Sequence, residues 1–188
     1  MKHTLPVLLL LLWMFSCTEY TPKPRGYFRI EPAEAEYLFF SSDTLPFQFN
    51  LSRQAIVAAS SDTSRGWINI VYPELNATIY CSYLPITPVG YATVESENRR
   101  LLQRLINPTL KITEKAYSHP EADVFGSLFI LDGETSSPLQ FLLTDSVRHF
   151  FRGALYIDSR PNADSLAPVV DYLQRDIIEM IQSFNWKK

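Results

Sequence analysis

Cysteine is nearly absent: the 188 residues carry two, Cys17 and Cys81, beside three histidines and six glycines. Two cysteines cannot build the disulfide framework of a small secreted scaffold, and no Cys/His spacing forms a metal site. The glycines are scattered. Gly126, Gly133 and Gly153 stand alone, and no loop cradles phosphate. No apolar run reaches the about 20 residues that span a bilayer. Positive charge is not in excess either: 17 basic against 20 acidic side chains give −3, without the basic stripe of a nucleic-acid binder. What the chain does have is apolar and aromatic content, at 46% and 13%, too much for a disordered stalk.

The apolar content is placed with purpose at the start. LPVLLLLLWMFS (5–16) follows Met1, Lys2 and His3. A basic start, a short apolar stretch and the small Ser16 read as a secretory signal peptide over residues 1–16. Cys17, directly behind it, reads as a lipid-modified N-terminus of the bacterial lipoprotein type, with Met14, Phe15 and Ser16 fitting the lipidation motif loosely. More than one acyl chain gives stable membrane attachment. Thr18 is not the aspartate that retains enteric lipoproteins in the inner membrane, which favours the outer membrane. Cys81 is then left without a partner, and its alternating context, ATIYCSYL, makes it a small buried residue. Residues 17–26 form a lipidated tether in which Pro22 and Pro24 favour extended polyproline II. Residues 27–188 are one domain by length, with order starting near YFRI (27–30).

Short β-branched and aromatic runs open that domain: YLFF (37–40), FQFNL (47–51), AIVAAS (55–60), GWINIVY (66–72) and ATIYCSYL (77–84). Pro73 to Asn76 joins the last two as a hairpin. A helix follows, capped by Thr93, with Leu101, Leu102, Leu105 and Ile106 as its stripe. A second helix runs from Pro108 to about Tyr117. Three more strands come next, DVFGSLFIL (123–131), PLQFLLT (138–144) and GALYID (153–158). The strongest periodicity closes the chain: Leu166, Val169, Val170, Leu173, Ile177, Met180, Ile181 and Phe184 recur at helical spacing behind an N-cap at Ser165. These runs predict an α+β fold: a mainly antiparallel, twisted sheet with flanking helices and the long C-terminal helix packed on it.

Chemistry is hard to find. The segment 144–158 mixes polar and aromatic residues most densely. Ser146, His149 and Asp145 there would be needed for a hydrolase. Adjacent Asp and Ser cannot easily flank one imidazole, though, and no GxSxG elbow exists. A turn stabilised by Asp145 and Ser146 is the plainer reading. We therefore expect no catalytic residue, no metal and no cofactor. Asp145, His149, Phe150 and Arg152 are the candidate interaction surface, since charge and aromatic character together suit hot spots. A carrier or chaperone with an apolar pocket between sheet and helix is the remaining alternative. Three Asp-hydroxyl-aliphatic tripeptides, at 43–45, 145–147 and 164–166, have the form of an O-glycosylation acceptor, and Thr44 has the most loop-like context.

A resemblance joins these pieces. TPKPRGYFRI (21–30), GWINIVYP (66–73), VFGSLFILDG (124–133), SPLQFLLTDS (137–146), HFFRGALY (149–156) and PNADSLAP (161–168) occur in one order across nearly the whole mature chain. Together they resemble the gliding-motility lipoprotein GldD family of Bacteroidota. The resemblance implies a lipid-anchored protein of the cell envelope, acting in gliding and in the associated type IX secretion machinery. It also implies partners among other gliding or secretion envelope proteins, and no enzymatic activity. One departure is Ile112, which stands where relatives are expected to carry a histidine. The strand and helix pattern is similar to the α/β/α layering of PsbP/Mog1-like folds, an analogy of fold alone.

Overall fold

Our computed structural model describes residues 35–59, 66–105, 110–158 and 163–187. The signal peptide, Cys17, the tether and the YFRI start of the domain lie outside the described residues. In chain order the elements are β1 (Tyr37–Ser41), β2 (Phe47–Ser52), β3 (Ile56–Ala59), β4 (Ile68–Tyr72), β5 (Ala77–Pro85), α1 (Pro88–Leu105), β6 (Lys111–His119), β7 (Val124–Asp132), β8 (Leu139–Thr144), β9 (His149–Ile157), α2 (Ala163–Ser183) and β10 (Asn185–Trp186). They form a seven-stranded sheet, β3-β4-β5-β9-β8-β7-β6, and a three-stranded sheet, β1-β2-β10. Every described pairing is antiparallel. The fold is α+β, as the sequence predicts.

Two hairpins of the large sheet turn by the same local chemistry. In each, a Pro-Glu 3-10 turn, Pro73–Leu75 or Pro120–Ala122, ends on a left-handed residue, Asn76 (φ 47°) or Asp123 (φ 50°). Asn and Asp tolerate that region because a short polar side chain can bond locally. His119 is therefore the last residue of a strand.

Strand alternation sorts the apolar residues onto two faces. On one, Ile70, Ile79, Leu128, Phe141, Leu143 and Leu155 meet Val169, Leu173, Ile177 and Met180 of α2 together with Phe47 and Phe49 of β2. Buried Cys81 belongs to this cluster, unpaired as expected. Gly153 leaves room here for the Phe141 ring, which a Cβ would meet at 2.2 Å. On the other face a smaller cluster, Phe129, Leu131, Leu142 and Phe150, meets Leu102 of α1. Three layers result: α1, the large sheet, and α2 beside the small sheet. Each fully buried Leu, Ile or Phe contributes about 1.5–3 kcal/mol, so the α2 side holds most of the stability.

Several sequence expectations change: Ser165, expected as an N-cap, lies inside α2 (Ala163–Ser183), and three further changes concern α1, β6 and β9. First, α1 starts at Pro88. Thr87 Oγ1 accepts the Gly90 N–H at 3.2 Å, and Pro fits the first helical position. Thr93 lies inside the helix, and the stripe facing the sheet is Tyr91, Val94, Asn98 and Leu102, with Leu101 exposed. Second, the helix expected after Pro108 is strand β6, paired with β7 from Lys111↔Asp132 to His119↔Val124. Its Lys, Glu and Ala are good helix formers alone, but β7 supplies a full ladder, and a sheet edge tolerates charges. Third, β9 begins at His149, so residues 149–152 are strand and not loop.

Candidate functional site

The β8–β9 turn is built around one carboxylate. Asp145 Oδ1 accepts the backbone N–H groups of Val147, Arg148 and His149 at 2.9, 2.8 and 2.8 Å. Thr144 Oγ1 accepts the Ser146 N–H at 2.8 Å and donates to the His149 carbonyl at 2.7 Å, while Ser146 takes φ 63°. Burial pushes the Asp145 carboxyl up, but the three amides outweigh it and hold it below its ordinary value. The turn is thus rigid although its tip is open: Val147 is 47% exposed and the Arg148 side chain 78%.

His149 stands beside this tip. Its Nδ1 shares a hydrogen bond with the Tyr83 hydroxyl at 2.8 Å. Its ring stacks on Trp186, with centroids 4.8 Å apart and planes 16° from parallel. Trp186 is fixed in turn by donating Nε1–H to the Asp123 carbonyl at 3.1 Å and by an edge contact with Phe184. Burial lowers the His149 pKa, Asp145 opposes and Arg148 reinforces, so the ring is neutral near pH 7.

The four residues singled out in the sequence do not share a surface. Asp145 and His149 are together at the turn. Phe150 points to the opposite face and is 5% exposed against Leu102, Phe129 and Leu142, so it belongs to the core. Arg152 shares that inner face, half-buried, and donates Nη2–H to Gln140 Oε1 at 3.3 Å. Burial lowers its pKa, with Tyr156 opposing. The period of two along β9 is the physical reason. Val147, Arg148, Tyr83 and Trp186 take the places of Phe150 and Arg152. Trp186 could not be found from the sequence, because it arrives from the far end of the chain.

A hydrolytic triad is not formed. Asp145 spends Oδ1 on backbone amides, His149 Nδ1 faces Tyr83, and Ser146 lies beside the Tyr91 phenol of α1. Among the described residues, no three His, Cys, Asp or Glu side chains converge.

One buried polar cluster escaped the sequence reading. Asp176 of α2 is 4% exposed and accepts the Tyr37 hydroxyl at 3.0 Å on Oδ1. Ser52, Tyr72 and Tyr172 surround it, yet Oδ2, Ser52 Oγ and the Tyr172 hydroxyl have no partner in hydrogen-bond geometry. Ser52 is therefore a near neighbour of the carboxylate without a bond of good geometry to it, while the Tyr72 hydroxyl also faces Asp176. Burial pushes the Asp176 carboxyl up, against the pull of these hydroxyls and Arg175. The same burial, with Asp176 nearby, pushes Tyr37 and Tyr72 up. The cue in the sequence was a carboxylate four residues after Tyr172 and four before Met180, on the apolar side of the helix.

Cavities are modest. One of about 490 Å³ opens between Pro46, Trp67, Tyr83 and Pro85, near the His149 site, and includes exposed Thr44. Another, of about 260 Å³, lies between α2 and the sheet, lined by Ile130, Pro138, Leu166 and Val170 with Lys111 and Asp171 at its polar parts. That is smaller than the usual range of about 300–1,000 Å³ for small-molecule pockets, whereas the 490 Å³ cavity falls within it. No described helix is long and apolar enough to cross a membrane.

A family model described as gliding motility lipoprotein GldD matches residues 17–186. The chain belongs to the gliding motility lipoprotein GldD family. Membership in the GldD family makes it a gliding-motility lipoprotein, held by lipid in the cell envelope. No curated protein matches the chain. Among solved structures, the solution structure of cyanobacterial PsbP (CyanoP) from Synechocystis sp. PCC 6803 is similar at 11% identity and a TM-score of 0.46, covering 83% of this chain and 95% of that one.

Proposed function

We propose that the protein is a non-catalytic envelope component that works by protein–protein interaction, serving gliding motility and the associated type IX secretion machinery of Bacteroidota. In this reading residues 1–16 are the signal peptide, Cys17 carries the lipid, residues 17–26 are the tether, and residues 27–188 form the binding domain. The anchor sits in the outer membrane, with the domain facing the periplasm. Support for the anchor is the family match, which begins at Cys17.

The observation that carries the binding role is the β8–β9 tip. Val147 and Arg148 project from a turn that Asp145 holds rigid, beside the stacked His149 and Trp186. Preorganised apolar, cationic and aromatic groups are what a hot spot needs, because little entropy is lost on contact. The test is the double variant Val147→Asp, Arg148→Glu in cells. Folding and envelope abundance should stay normal, while gliding or secretion fails and co-purifying envelope proteins drop at least tenfold. Unchanged motility, secretion and co-purification would dismiss this surface.

Thr44 is the O-glycosylation site in the same reading. It is exposed in the β1–β2 turn, whereas Asp145 and Ser146 of the second tripeptide are tied into theirs. Intact mass of the mature native protein should carry a hexose-type increment that Thr44→Ala removes.

A further inference from the structure

We propose that β1 is a self-pairing edge, through which two copies of this chain join antiparallel about Phe39 into a dimer. The outer edges of the described sheets are not treated alike. β6 is long but carries Lys111, Glu114 and Lys115, and β3 has only four residues. Charge and shortness are standard protections against edge-to-edge pairing. β1 has neither. Its sequence is Tyr-Leu-Phe-Phe-Ser, no described strand covers its outer side, and Leu38 and Phe39 are 53% and 65% exposed. Among the described residues β3, β6 and the two-residue β10 are protected edges, and the most apolar one, β1, is open.

The strand is complementary to itself. An antiparallel register centred on Phe39 sets Tyr37 against Ser41, Leu38 against Phe40, and Phe39 against its own copy. Aromatic and aliphatic pairs directly opposite stabilise such ladders. Phe40 is already backed by Phe49 at 5.1 Å, so the platform is firm. The strand itself carries no charge, so the pairing adds no like-charge contact within it. Just outside it the register sets Glu36 opposite Ser42 and diagonal to Asp43 of the other copy, and Glu36 is neutralised by its ion pair with Arg53.

The chain outside the described residues points the same way. Residues 18–36 run from the anchor cysteine straight into β1. At no more than about 3.6 Å per residue they reach several nanometres, enough for two domains anchored in one leaflet to bring their β1 strands together about a two-fold axis normal to the membrane. Five residues bury little area, so the contact is weak in dilute solution. Confinement to a membrane raises the effective concentration and makes it sufficient.

The test uses the full lipidated chain in its own envelope. Phe39→Cys lies on the two-fold axis, where opposite Cα atoms of an antiparallel pair sit about 4.5–5.5 Å apart, within disulfide range. Cys81 is buried and does not compete. Mild oxidation should give a disulfide-linked species of twice the chain mass containing this chain alone, with at least tenfold higher yield than Ile56→Cys on β3 or Lys115→Cys on β6. Phe39→Lys should abolish the dimer that chemical crosslinking captures in the intact envelope, while leaving circular dichroism unchanged. A yield no better than the controls, or a crosslink to a different protein, overturns the proposal. The Val147→Asp, Arg148→Glu variant should keep the Phe39→Cys crosslink, so failure at one surface is distinct from failure at the other.

Discussion

Asp176 occupies a helix face otherwise given to Leu173, Ile177 and Met180, and it binds the first described strand through Tyr37. Its titration has a definite sign. Burial raises the folded pKa above the ordinary 3.8, so the native state holds the proton more tightly than the unfolded chain does. The stability this group adds is full below the unfolded value and is lost as pH rises through the folded one. The groups facing it are Tyr37 from β1, Ser52 from β2, Tyr72 from β4, and Tyr172 and Arg175 from α2. Asp176→Asn keeps an acceptor for Tyr37 but cannot ionise. Its urea midpoint should therefore gain on the native chain as pH rises from about 4 to neutrality, and equal slopes for the two proteins would contradict the assignment. The same scale shows why the candidate site was only half legible. Asp145 as a turn former and Cys81 as a core residue follow from local pattern, whereas the inward aim of Phe150 and Arg152 depended on where β9 begins.

The two helices differ in how much holds them. α2 lays Val169, Leu173, Ile177, Met180 and Ile181 on the main cluster. α1 has Leu102 as its buried apolar residue among those described, with Val94 partly covered and Asn98 buried beside them. Elements with few buried apolar contacts open first. Hydrogen exchange should show α1 amides exchanging well before those of α2. Leu102→Ala, at about 2–5 kcal/mol for a large-to-small core change, should erase α1 protection and leave α2 and β9 protected. Simultaneous loss in both helices would refute independent opening. This asymmetry was readable in advance: the periodicity of 166–184 is long and clean, that of 93–106 short. β6 was not readable, because an edge strand rich in Lys and Glu looks helical until its neighbour is known.

Across the whole molecule, most strands were visible as β-branched and aromatic runs, and their order in the sheets was not. The large sheet is assembled by β5 against β9, from Ala77↔Ile157 to Pro85↔His149, a pairing that joins two halves of the chain. The small sheet is completed only when β10 returns to β2, and the Asn50 N–H meets Ser183 Oγ across 133 residues. Such distant contacts fold slowly, because loop-closure entropy must be met before they form. For an exported lipoprotein that slowness is useful. A chain threaded through a membrane must stay unfolded until most of it has crossed, and here β1–β2 and β3–β4–β5 can pair early but neither sheet is complete until β9 and β10 emerge. The topology acts as its own delay, since the domain cannot shut before its last strands have crossed.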